Sequence, residues 1–168
     1  GKVDKKYALA LEVAAGSRMN NVVVNDDKTA ADCIKLLKRE KLGTATFLPI
    51  NKLKARVTPT IRGSGIIGNA LDLVSFENKF KNVFSFALGN AVVVDSLDTA
   101  RRIGIGKARM VTLDGDLFEL SGAIVGGFRR KRVGSFKQQE LDADFTKLEK
   151  QSLDLKNTLQ VLEQNKRN

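Results

Sequence analysis

Gly63-Ser64-Gly65-Ile66-Ile67-Gly68 has the spacing G-x-G-x-x-G. In dinucleotide-binding folds that turn follows a strand, opens a helix and lets a pyrophosphate approach the backbone. A helix is expected to follow here. The stretch before it, Val57-Thr58-Pro59-Thr60-Ile61, makes a poor central strand, because Pro59 cannot donate to a ladder. No acidic residue ends a following strand about 20 positions on, as ribose binding needs, and Asp95 comes later. The loop is therefore read as a tight turn where another backbone comes close. A nucleotide- or dinucleotide-binding enzyme using Gly63–Gly68 and Asp95 is the alternative reading. Gly104-Ile105-Gly106-Lys107-Ala108 contains a Gly-Lys pair but lacks the hydroxyl residue and the upstream glycine of a phosphate cradle.

Other chemistry is scarce. The 168 residues include no histidine, which removes the commonest general base and metal ligand. Cys33 is the single cysteine, so disulfide frameworks and Cys-rich zinc sites within one chain are excluded and a reducing, cytoplasmic setting is expected. Cys33 falls on the stripe of Ala30, Leu36 and Leu37 in a helix expected over Thr29–Lys41, where it reads as a buried small hydrophobe. No apolar run approaches the roughly 18 residues that would span a membrane. No catalytic residue, metal site or cofactor is assigned to this chain.

Two segments point to binding instead. Ser121-Gly122-Ala123-Ile124-Val125-Gly126-Gly127 keeps two apolar anchors among small residues, a composition that admits another backbone, and is read as an edge that pairs with a second subunit. Arg129, Arg130, Lys131, Arg132 and Lys137 put five positive charges into nine residues. Such a cluster fits phosphates, with strong salt dependence and no base-specific readout. The chain as a whole has a net charge of +10. Residues 139–168 hold five basic and six acidic side chains, so the preceding 138 residues carry +11. A body that basic attracts polyanions.

The elements that would position these segments come as a repeat. Val22-Val23-Val24-Asn25-Asp26-Asp27-Lys28-Thr29-Ala30 returns 70 residues later as Val92-Val93-Val94-Asp95-Ser96-Leu97-Asp98-Thr99-Ala100. Each copy reads as a buried strand, a polar turn and a helix start, with Asp27 and Asp98 expected as helix caps. A further strand follows each helix, Thr44–Leu48 and Arg109–Leu113, and the second runs into a hairpin around Asp114-Gly115. Two strand–helix–strand units imply two related lobes with mixed or parallel sheets. Between them, Leu73, Val74, Phe76, Phe80, Val83, Phe84 and Ala87 suit a linking helix over about 69–89. The expected partition is lobe one at about 1–68, that helix, lobe two at about 90–135, and a last helix over 136–168. In the last segment Leu141, Phe145, Leu148, Leu155, Leu159 and Leu162 alternate spacings of four and three around Ser152, a heptad seam that requires a partner helix. A helix upstream of Gly1, the same helix in another chain, or a different protein would supply it.

In this order the parts resemble the hinge of structural-maintenance-of-chromosomes (SMC) proteins, of prokaryotic type. The resemblance rests on Lys6-Tyr7-Ala-Leu-Ala-Leu-Glu12 with Asn21–Val24, on Gly65-Ile-Ile-Gly-Asn-Ala-Leu-Asp-Leu-Val74, on Val92–Asp95 with Thr99-Ala100, on Asp114-Gly115-Asp116 through Leu120, and on Ser121–Gly127 ahead of the coiled coil. It implies a mixed α/β fold of two related lobes at the tip of an antiparallel coiled coil, with ATPase heads elsewhere in the full-length protein. It also implies a ring-shaped homodimer joined through sheet edges at Ser121–Gly127 with Gly65 and Gly68. DNA contact near Arg129–Arg132, nucleoid association in the cytoplasm, and a role in chromosome condensation and segregation follow from the same resemblance.

Overall fold

The computed structural model of the chain describes residues 1–54 and 61–128. The basic run Arg129–Arg132, Lys137 and the heptad segment lie outside the described residues. In chain order the elements are β1 (Lys2–Val3), α1 (Ala8–Ala15), β2 (Val22–Val24), α2 (Asp27–Arg39), β3 (Phe47–Pro49), β4 (Ile66–Asn69), β5 (Val74–Ser75), α3 (Lys81–Leu88), β6 (Val92–Val94), α4 (Leu97–Ile103), β7 (Met110–Thr112), β8 (Leu117–Phe118) and β9 (Ile124–Val125). Short 3₁₀ turns link several of them.

The second repeat copy forms the centre of a five-stranded sheet with order β4-β6-β7-β8-β9. β6 and β7 are parallel and joined through α4, while the other pairings are antiparallel. Alternation along β6 sends Val93 to one face and Val92 and Val94 to the other. Val93 and Val111 pack with Ala10, Leu11 and Ala14 of α1, and Val92 and Val94 pack with Ala100, Met110 and Phe118. Both faces are covered, so the β-branched run is fully buried. The first copy makes only a two-stranded parallel sheet, β2–β3, under α2. One neighbouring strand and one covering helix leave Val22 43% and Val23 40% exposed. The same shortage of cover leaves Cys33 half-buried and Leu36 exposed, where a buried stripe was expected.

Two further expectations are corrected. The helix caps are Asp26 and Ser96, not Asp27 and Asp98. Asp26 and Ser96 have extended backbones, and their side-chain oxygens accept from the Thr29 N–H (2.7 Å) and the Thr99 N–H (3.3 Å). Asp27 and Asp98 then fall in the first turns, where a carboxylate suits the positive end of the helix dipole. Hydrogen bonding from Asn51, with Lys52 nearby, holds the Asp27 carboxyl below its usual range.

The linking helix over 69–89 is the second correction. Only Lys81–Leu88 is α-helical, because Val74 and Ser75 are taken as a strand by β1, with Val3 opposite Val74 and Lys2 opposite Ser75. Phe76 instead stacks on Phe84, with ring centroids 4.6 Å apart. α1, from the first segment, and β4, from the expected lobe boundary, both belong to the body built on β6 and β7.

Candidate assembly edges

The β8–β9 hairpin carries the glycine-rich segment. Gly122 donates to the Glu119 carbonyl (3.0 Å) and Glu119 donates to the Ala123 carbonyl (2.8 Å), closing a three-residue loop. Gly122 takes φ +88, the left-handed step such a loop needs at its last position. β9 then runs antiparallel to β8, with Leu117 opposite Val125 and Phe118 opposite Ile124. Because Glu119 and Ala123 form the hydrogen-bonded pair, Val125 also turns its backbone groups toward β8. Ile124 and Gly126 turn theirs outward, to the open edge of the sheet. Ile124 is 52% and Val125 51% exposed, with Leu120 and Phe128 also exposed beside them.

The end of this edge is pinned by Asp116. Its carboxylate accepts from the Thr112 hydroxyl (3.2 Å) and from the Gly127 N–H (3.3 Å). A Cβ at Gly126 would run into the same carboxylate. Gly126 is therefore required by contacts within the chain, whatever else it meets.

Gly65 and Gly68 are brought elsewhere. They lie at β4, the opposite margin of the sheet from β9. Gly68 sits at a register shift against β6. Gly65, at φ +82, presses on the α4 cap: its carbonyl accepts from the Asp95 N–H (2.9 Å), and a Cβ would stand 2.8 and 2.9 Å from the Asp95 carboxylate oxygens and closer still to Thr99 Oγ1. Gly65→Ala is expected to cost about 2 kcal/mol, from a forbidden φ and overpacking together, as a lowered midpoint in urea unfolding. The loop 63–65 leads into strand β4 and not into a helix. The helix N-terminus on which a pyrophosphate would rest is thus missing. Asp95 is held below the usual carboxylate range by the Thr99 and Ser96 hydroxyls and serves the α4 cap.

A second open edge was not anticipated from sequence. Val22 donates to the Thr46 carbonyl and Ile50 to the Val24 carbonyl, both at 2.9 Å, so Val22 and Val24 face β3. Val23 turns its N–H and C=O to the outside. On the other side of β3 the outward positions are Phe47 and Pro49, and Pro49 offers no N–H. In the second copy the equivalent edge, beside β6, is filled by β4. A proline closing the strand run at one margin was the available sequence signal.

The chain matches the model of the SMC proteins Flexible Hinge Domain family over residues 1–104. It belongs to the SMC hinge family. The chromosome partition protein Smc of Methanocaldococcus jannaschii is 43% identical over 152 residues, covering 89% of this chain and 13% of that protein. The Smc of Gloeobacter violaceus is 49% identical over 135 residues, covering 80% of this chain and 12% of that protein. This hinge chain thus spans a small part of the curated relatives it matches. Among solved structures, the Pyrococcus furiosus Smc hinge domain with an extended coiled coil superposes with TM-score 0.68 at 43% identity, over 96% of this chain and 61% of that one. The asymmetric dimer of the Geobacillus stearothermophilus SMC hinge domain gives 0.74 at 28% identity, over 91% and 64%. The mixed α/β hinge fold is therefore shared with known SMC hinges. Glycine segment 121–127 lies beyond the matched residues of the family model, so its role rests on its own geometry.

Proposed function

We propose that this SMC hinge chain is a homodimerisation module that joins two subunits of a chromosome-organising ATPase at the tips of their coiled coils. One observation carries the reading. A single body presents two open, half-exposed apolar strand edges, β9 and β2, while one of the two outward positions of β3 is a proline, Pro49. Strand addition at an open edge satisfies backbone groups and buries alternate side chains. In a two-fold dimer, the β9 edge of one protomer meets the β2 edge of its partner, and the reciprocal joint closes a ring. The Geobacillus stearothermophilus SMC hinge domain forms an asymmetric dimer, which supports dimerisation, while the two-fold arrangement rests on the edges alone. Gly65 and Gly68 contribute by fixing β4 and the α4 cap, and Ser121–Gly127 supply the joint.

In the same reading Arg129, Arg130, Lys131, Arg132 and Lys137 contact DNA phosphates without sequence preference, in chromosome condensation and segregation at the nucleoid. The chain performs no chemistry of its own, and ATP is handled by heads outside it. Solution mass by light scattering against concentration tests the proposal. Twice the chain mass at micromolar concentration is expected, and a monomer across that range would overturn homodimerisation.

A further inference from the structure

Positive charge is unevenly spread over the described residues. Residues 61–128 hold seven basic and seven acidic side chains and are neutral. Residues 26–54, the β2-side unit with α2 and the β3 loop, hold seven basic and four acidic side chains, a net of +3 in 29 residues. Lys28, Lys35 and Arg39 recur at helical spacing on the exposed face of α2, Lys38 borders them, and Lys41 continues past the helix end. The line from Lys28 to Arg39 is about 16 Å long at 1.5 Å per residue. Among the described residues no carboxylate lies within 4.0 Å of Lys28, Lys38, Lys41 or Lys54. The acidic groups on or beside this face are Asp32 and Glu40, paired with Lys35 (3.4 Å) and Arg39 (2.7 Å), and Asp27, paired with Lys52 (3.7 Å). All six partners are at least half exposed, so these pairs are weak and exchange readily with another anion.

We infer that the outward face of α2, extended by Lys41 and Lys54, is a second nucleic-acid contact, separate from Arg129–Lys137, that takes the phosphate backbone of a duplex. The cations run in a straight line, with the exposed side chains of Ile34, Leu36 and Leu42 beside them, and such a line suits a periodic phosphate chain. An acidic peptide would need a pocket to fix its register. The inference does not depend on how the edges assemble.

The test uses the whole 168-residue chain and a 30-base-pair duplex, with binding followed by fluorescence anisotropy across salt. K28Q/K38Q/K41Q/K54Q is compared with R62Q/K81Q/R101Q/K107Q, which removes the same charge from the neutral part. The first variant is expected to bind more than about tenfold more weakly at low salt and to lower the log–log salt slope by up to about 3.6, at about 0.9 for each of the four phosphates no longer neutralised. The second is expected to change neither by as much. Equal losses in both variants, or none in the first, would overturn the ridge. So would displacement of the duplex by polyglutamate of matched charge at equal concentration, which would assign the face to an acidic protein. Light-scattering mass on the same samples keeps the outcomes apart. A dimer that persists while DNA binding is unchanged counts against the ridge alone, and a monomer that still binds through α2 counts against the assembly alone.

Discussion

Ile124→Pro is expected to leave a folded chain that no longer dimerises. The Ile124 N–H points away from β8, so proline removes no bond of its own hairpin and only blunts the open edge. Val23→Pro is expected to do the same from the other edge, since Val23 also faces outward. Each two-fold dimer contains two joints, and each variant damages both. Losing one or two hydrogen bonds per joint, at about 1 kcal/mol each, weakens association by about 100-fold. Analytical ultracentrifugation gives the dissociation constant, and far-UV circular dichroism with thermal melting confirms that both variants remain folded. A variant that melted normally and dimerised as tightly as the parent chain would remove its edge from the interface.

Arg109→Ala is expected to be the most destabilising single substitution within the body. The Arg109 side chain is 10% exposed and sits where three elements end. One terminal nitrogen donates to the carbonyls of Ala14 (2.8 Å) and Leu88 (3.1 Å), closing the C-terminal turns of α1 and α3. Nε donates to the Glu119 carboxylate (3.0 Å) at the root of the β8–β9 hairpin. Removing the arginine strands two carbonyls and a carboxylate at once, at a cost of about 3 kcal/mol. In a body of this size that lowers Tm by on the order of 10 °C. Glu119→Ala is expected to cost about 1 kcal/mol, because that carboxylate is a third exposed. Arg109→Lys should fall between alanine and the parent chain, since an ammonium cannot hold all three partners in one plane. Equal effects for Arg109→Ala and Glu119→Ala in calorimetric melts would show that the ion pair, and not the helix ends, carries the stabilisation.

The β6–α4–β7 unit and the hairpin after it were legible because their signals are local. The Val92–Val94 run, the helix start after it, and the Asp114-Gly115 turn each specify their own conformation, whereas β4 was not expected, a helix having been read after Gly63–Gly68. Ser121–Gly127 was legible as an edge from its glycines. The failures share a cause: each depends on how many neighbours a segment finds. Val22–Val24 and Val92–Val94 are the same residues in the same context, yet one strand has a single neighbour and the other has two plus a helix on each face. No window of sequence reports that difference. The spacing of Leu73 to Ala87 suited a helix, but a two-residue strand at the N-terminus claimed Val74 and Ser75. Arg109 read as the first residue of a strand, and its long side chain joins residues far away in sequence. Gly65, expected at the dimer interface, lies against the chain's own Asp95 and Thr99, contacts that its sequence neighbours do not announce.

The reciprocal pairing of β2 with β9 is tested most directly by mixing Val23→Pro with Ile124→Pro and measuring the mass by light scattering. Each variant alone blocks both joints of its homodimer. In the mixed pair, one joint combines an intact β9 with an intact β2, and the other combines the two blocked edges. The expected result is that monomers of either variant form dimers on mixing, weaker than the parent chain. If the mixture stays monomeric while both variants remain folded, the two edges do not meet each other, and the assembly proposed for this hinge is wrong.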